Sequence, residues 1–487
     1  MASQYDPAGS RLPIKLDSTT NGEFAPIPLA REHHLANKLA QDAATSHAKR
    51  LGLSRRDFLV SACGAASTLT AINQAYAMHG TRGGYFELDK VAPLDMHAAR
   101  SAVDGNEFIF DVQGHFVNPT GAWTKRLAPN ARPLRMPKTQ SCGPSKGTGD
   151  LDYLQCIGHD DFIKDVFLDS DTDLMVLSFV PSTRQNEPLT IEEATATARI
   201  VERLDGTHRL YIHGRVNPNS PGDLEAMDEL ASRHKIAAFK TYTQWGPDGK
   251  GFFLDDDVGI AFIERAQQLG VRNIAVHKGL PFGQKSYEHS TCADVGRIAK
   301  RFPRMNFLIY HSGFVADKPE GAYDERRIDG IDALVTSLVK NGVSPGSNVY
   351  AELGSTWRFL MRDPDSAAHA LGKLFKSCGE NNVLWGTDSI WYGSPQDQIQ
   401  AFRTFQISAA LRDKHGYPQI TPALRANVFG LNALKIYPVT EDVLKQHLRS
   451  DRIARERGNY REQPDPSFAT LGPKTRREFL NFKARES

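Results

Sequence analysis

These 487 residues contain no cysteine pair at metal-binding spacing, no glycine-rich phosphate loop and no block of one charge. Outside one stretch near the amino end they also contain no apolar run long enough to cross a bilayer. Each absence removes a class of function. Lys and Arg number 59 against 57 Asp and Glu, interspersed, so the net charge is only +2 and the basic stripe that nucleic acid requires is missing. The five cysteines form no CxxC, which argues against a zinc knuckle. Without a glycine-rich loop after the first β-rich run there is no cradle for phosphates, and nucleotide use is not expected.

The exception near the amino end follows a polar leader rich in His, Lys and Arg. Ser54-Arg55-Arg56-Asp57-Phe58-Leu59-Val60 precedes a weakly apolar run to about Asn73, and Ala75-Tyr76-Ala77 offers two small residues at signal-peptidase spacing. A paired arginine followed by Phe-Leu resembles the twin-arginine export motif, which is a receptor-read address rather than an anchor. That resemblance implies a leader and signal over residues 1–77 and a mature start near Met78. It also implies export of the folded chain by the twin-arginine translocase to the periplasm or beyond, with no membrane attachment after cleavage. An uncleaved anchor and a Sec signal are the alternatives. Val60-Ser61-Ala62-Cys63 has the outline of a lipoprotein box, but too few apolar residues precede Cys63. Cys142, Cys156, Cys292 and Cys378 lie beyond the cleavage point; spacing alone assigns no disulfide among them.

From about residue 105, short β-rich runs alternate with helical patterns. The runs are Phe108–Asp111, Leu174–Val180, Leu210–Val216, Ala237–Thr243, Asn273–His277, Asn306–His311, Val349–Leu353 and Val383–Thr387. Most are continuously apolar, as parallel strands buried on both faces are. Between them lie amphipathic segments such as Asp223–His234, Gly259–Leu269, Thr291–Phe302, Ile328–Val339 and Ser366–Ser377. Eight such units predict an α/β fold, a (β/α)₈ TIM barrel, over 105–445, after a linker at 78–104. A doubly wound open sheet is the alternative. The stretch Phe116–Thr172 is far longer than an ordinary βα loop and is expected to roof the barrel mouth. The charged tail, 446–487, reads as an arm over the surface or over a partner subunit in a homodimer, or as disordered.

Barrel active sites sit where the strands end. The first strand ends in Asp111-Val112-Gln113-Gly114-His115, the fourth carries Lys240, the fifth ends at His277, the sixth at His311, and the eighth leads into Asp388. Imidazoles and a carboxylate converging on one mouth are the inventory of a zinc-type catalytic site, with one position left for water. Any of these histidines taken alone reads better as a polar core residue; their coincidence at strand ends is the signal.

Asp-x-x-x-His on the first strand, Val276-His277-Lys278-Gly279, Tyr310-His311-Ser312-Gly313 and Trp385-Gly386-Thr387-Asp388 resemble the amidohydrolase-related family, in particular its decarboxylase branch. Asn427-Val428-Phe429-Gly430-Leu431-Asn432-Ala433 is similar to that family's closing helix. The resemblance implies a divalent metal held by His115, His277 and Asp388, with Asp388 also moving a proton and His311 acting as acid, base or polarising group. The family carries a histidine where this chain has Gln113, and an amide is a weaker ligand than imidazole. Zinc is the first expectation, with manganese or another ion the alternative because of Gln113. Lys240 sits where some relatives carry a bridging lysine, and here reads as a contact for a substrate carboxylate.

Three functions follow for a small-molecule substrate. The first is a metal-dependent hydrolase in which hydroxide attacks a carbonyl. The second is a non-oxidative decarboxylase or related lyase on the same metal site, with Asp388 and His311 handling protons and Lys240 or Arg215 facing the substrate carboxylate. The third is a binding protein that kept the barrel and lost the metal through Gln113.

Overall fold

The computed structural model describes residues 6–20, 25–81, 83–126, 156–205, 208–281, 286–440, 443–444, 451–470 and 473–484. The eight apolar runs each form a parallel strand, and they pair in chain order. The strands are β1 (Phe110–Gly114), β2 (Leu174–Leu177), β3 (Leu210–Arg215), β4 (Ala238–Tyr242), β5 (Asn273–His277), β6 (Asn306–Tyr310), β7 (Val349–Glu352) and β8 (Val383–Leu384). The sheet closes on itself. Val112 N donates to Trp385 O and Asp388 N to Gln113 O, both at 2.9 Å, and Gly114 bridges Ser389. This is the (β/α)₈ barrel expected, and the open-sheet alternative is excluded.

Both faces of the sheet are buried. Phe110, Val112, Val176, Leu308 and Tyr310 pack inside the barrel above Tyr437, while Phe239, Val276, Ile309 and Ala351 face the helices. Asp111 pairs with Met175 and Gly114 with Leu177, three steps against two, so β1 carries a bulge. Val112 points inward, and strict alternation would turn Gln113 outward. The extra residue aims both Gln113 and His115 at the mouth. Helices follow the predicted pattern with shifted ends: Asp257–Gln268, Gly330–Lys340 and Pro364–Ser377, the last capped by Asp363 accepting from Ser366 N. The patterns at Asp223–His234 and Thr291–Phe302 shorten to Met227–Arg233 and Val295–Arg301, because turns occupy their first residues.

The amino-terminal segment departs from a detached leader. It folds as α1 (Arg31–Leu51), α2 (Arg55–Val60) and α3 (Ala62–Met78). Ala36, Ala40, Ala44 and Ala48 repeat every fourth residue and form the buried stripe of α1, which lies against α3. Leu69, Ile72 and Ala75 of α3 share one core with Trp357, Phe402 and Phe405 of the barrel body. Arg55 donates to the carbonyls of Gly9 and Gln41 at 2.8 and 3.0 Å. Arg56 pairs with Asp6 at 3.6 Å and Asp465 at 3.3 Å and lies over the Phe468 ring. Among the described residues no helix is long and apolar enough to cross a membrane.

The carboxyl-terminal arm also docks. Asp451 accepts from Arg209 Nε at 2.6 Å, and Arg457 of the helix Arg452–Glu462 donates to Phe167 O at 2.9 Å. Of the expected roof, residues 127–155, including Cys142, lie outside the described residues. The described remainder packs Phe116, Phe162 and Phe167 in one cluster with Trp391 from the loop after β8.

Candidate active site

The ends of β1, β6 and β8 bring four predicted side chains together. Asp388 Oδ1 lies 3.0 Å from His115 Nε2 and accepts from Gln113 Nε2 at 3.0 Å. The same amide nitrogen is 3.4 Å from His115 Nε2 and 3.5 Å from His311 Nε2. Asp388 Oδ2 takes a hydrogen bond from Ser355 Oγ at 2.5 Å, and Ser355 Oγ lies 3.0 Å from Tyr392 Oη. Backbone carbonyls orient the rings: His115 Nδ1 is 3.0 Å from Ser178 O, and His311 Nδ1 is 2.6 Å from Gly354 O. A carbonyl only accepts, so each Nδ1 carries a proton and each Nε2 faces the centre. Trp391 stacks on His115, with ring centroids 5.4 Å apart.

The turns that carry these groups adopt backbone angles that side-chain-bearing residues seldom take. His311 has φ 66°, Ser312 52°, Ser355 53° and Asp388 60°. One carboxyl holds two of the turns. Glu352 Oε2 accepts from His311 N at 3.1 Å, and its Oε1 accepts from Gly354 N at 2.6 Å. Gly354 and Gly386 flank that carboxyl so closely that a Cβ at either would run into it. Sequence reasoning missed Glu352. The signal was there, as an acid on an inward position of an otherwise apolar strand.

Burial governs the charges. It pushes the Asp388 carboxyl upward, but the hydrogen bond and charge of His115, with His311 and Ser355, bring it down to about 2. Burial raises Glu352 to about 8 despite its two backbone N–H donors. Burial lowers His311 to about 4 and, against the pull of Glu352 and Asp388, lowers Lys240 to about 7. Lys240 is fully buried; its Nζ has no hydrogen-bond partner among the described residues and lies 3.7 Å from the Tyr310 ring centre and 4.8 Å from that of Tyr242.

Two predicted residues are used otherwise. His277 lies beside His311, ring centroids 4.4 Å apart, but its Nε2 is 3.3 Å from the Leu280 carbonyl. Arg215 donates to Asp223 at 2.9 Å and Glu187 at 2.7 Å, so its charge is already answered and the structure does not leave it for a substrate carboxylate.

Of the divalent-metal ligands expected, His115 and Asp388 meet, with Gln113 as the weak stand-in beside them and His277 next to His311. Gln113 turns its amide N–H to the oxygen of Asp388 that an ion would take; the opposite orientation would set two acceptors face to face. His277 keeps its ring against His311 while its Nε2 lies 3.3 Å from a backbone carbonyl. Among the described residues no group of three or more His, Cys, Asp or Glu side chains is placed to hold a metal ion.

Comparison with known proteins gives one family. The sequence pattern of the family described as Amidohydrolase matches residues 161–439, more than half the chain, starting after β1. A search of curated proteins finds no match. Among solved structures the chain is similar to 5-carboxyvanillate decarboxylase LigW from Sphingomonas paucimobilis, at 14% identity over 69% of this chain and 100% of that one, with a TM-score of 0.42. It is also similar to 2,6-dihydroxybenzoate decarboxylase from Rhizobium, at 14% identity over 68% and 98%, with a TM-score of 0.39. Dihydroorotase from Saccharomyces cerevisiae is similar at 11% identity over 69% and 85%, with a TM-score of 0.40.

Proposed function

Because the chain belongs to the amidohydrolase family and is an enzyme, hydrolase or carboxy-lyase, we propose that it is a non-oxidative carboxy-lyase acting on a small acid whose carboxyl stands β to a carbonyl. The observation that carries this reading is Lys240, a buried amine midway along β4 with no hydrogen-bond partner among the described residues, close enough to Glu352 and Asp388 to feel both charges. Loss of CO₂ leaves an electron pair on carbon. That pair needs a positive group beside it and then a proton. Lys240 supplies the first. The His115–Asp388 pair and His311, all oriented by fixed hydrogen bonds, supply and receive the second. Ortho-hydroxybenzoic acids also qualify, since one tautomer is a β-keto acid. The structures named above include decarboxylases of aromatic acids, which agrees with this class without testing it.

The hydrolase reading needs water activated between a metal and Asp388, and the donors for that arrangement are turned on one another. The test sets the two readings side by side. Small β-keto and ortho-hydroxybenzoic acids are assayed for CO₂ release, and lactones and amides for hydrolysis. CO₂ release that falls roughly 10²–10⁴-fold in His311→Asn and in Asp388→Asn is expected. Hydrolysis of a lactone or amide, with no CO₂ from any acid, would sink the carboxy-lyase reading.

A further inference from the structure

Four lysines are buried among the described residues, and three of them have acids to answer them. Lys278 Nζ donates to Asp294 at 2.9 Å, Lys373 Nζ to Asp332 at 2.6 Å and also to Glu320, and Lys15 Nζ pairs with Asp397 at 3.3 Å. Lys240 stands apart. Two carboxylates share its surroundings, yet their oxygens accept from other donors: Gln113, His115 and Ser355 on Asp388, His311 N and Gly354 N on Glu352. What faces Lys240 Nζ is the ring of Tyr310, with that of Tyr242 beyond. A fully desolvated ammonium in that position is costly, and a neutral amine is not.

We propose that Lys240 is a nucleophile that condenses with the carbonyl of a β-keto acid substrate to form an imine. This rests on the carboxy-lyase reading and names its electron sink. The amine adds to the carbonyl carbon and the oxygen leaves as water. The protonated imine accepts the electron pair of the breaking carbon–carbon bond as CO₂ departs. The resulting enamine takes a proton at carbon from the His115–Asp388 pair, through the ring N–H of His115, and returning water releases the ketone and restores the amine. No oxidant or reductant enters. Burial lowers the amine to about 7, the direction that a desolvated Schiff-base lysine needs.

The test needs no known substrate. The full-length chain is incubated near pH 7.5 with pentane-2,4-dione, which converts a neutral amine into an enaminone that absorbs in the near ultraviolet, with loss of one water. Intact mass and peptide mapping then locate the adduct. About one adduct per chain is expected at Lys240, forming more than about tenfold faster than at an exposed lysine such as Lys414. Lys240→Met should lose the absorbance while its circular dichroism is unchanged; if that variant fails to fold, mapping on the parent chain still decides. Adducts confined to exposed lysines, or an absorbance unchanged in folded Lys240→Met, would overturn the proposal. A second arm uses acetoacetate with cyanoborohydride. CO₂ release with no trapped adduct at Lys240 overturns the amine and keeps the lyase. A trapped adduct with no CO₂ release keeps the amine and counts against the lyase.

Discussion

At the scale of single residues the site is decided by which atom faces which. Gln113 presents its amide 3.0 Å from Asp388 and 3.4 Å from His115. An imidazole there would turn a second ring nitrogen on the same point, so Gln113→His should raise zinc uptake by the purified protein, measured by elemental analysis after dialysis. Equal zinc in parent and variant would mean that position 113 does not control metal binding. Lys240 makes a prediction about stability. Its folded value near 7 lies below the ordinary lysine range, so the unfolded chain binds more protons from about pH 7 up to that range. The penalty is therefore complete below pH 7 and fades as the pH rises. Lys240→Met should melt higher than the parent at pH 6, and the gap should narrow by pH 9, as read by scanning calorimetry. A gap that widens with pH would contradict the assigned direction.

At the scale of elements, strands were legible in the sequence because parallel strands buried on both faces leave continuous apolar runs. Asn273–His277 was placed to the residue. The residues after the strands were legible only by position. His115, His311 and Asp388 meet, but nothing in the run from Asp111 to His115 marks the bulge that brings Gln113 and His115 to the mouth together. His277 illustrates the limit. A strand end places a backbone at the mouth, while the ring turns toward whichever acceptor is nearer, here Leu280 O. Glu352 was missed for a different reason: the acid stands out on an apolar strand, but its role is toward the backbone of His311 and Gly354, and no side-chain motif records that. The two glycines around it give a prediction. Gly386→Ala should force the Glu352 carboxyl off His311 N and Gly354 N, costing about 1–3 kcal/mol of stability through overpacking alone. A lowered denaturant midpoint checks it. An unchanged midpoint would show that the cradle yields freely.

At the scale of the whole molecule the barrel and its amino-terminal helices share a core. A chain starting at Met78 would lack Ile14, Leu16, Leu69 and Ile72, each essentially fully buried. That truncated chain should be insoluble or melt well below the full-length protein, since each large aliphatic side chain withdrawn from a core costs about 2–5 kcal/mol. Export through Arg55-Arg56 asks for the reverse, a stable product after cleavage near Met78. Sequencing the amino end of protein recovered from the periplasm and from the cytoplasm decides between these outcomes. Replacing both arginines by lysine adds a check: retention of the full-length chain in the cytoplasm supports the export reading, and unchanged export removes it.

The partners of Arg56 also impose an order in time. Asp465, whose carboxylate it meets, and Pro466, whose carbonyl it reaches, are joined to the growing chain 409 and 410 residues after it. Throughout synthesis on the ribosome this guanidinium has no distal clasp, whereas Arg55 finds Gly9 and Gln41 early. Any receptor that grips the arginine pair therefore competes with the last residues translated. The length of the message sets how long Arg56 stays free of that competition.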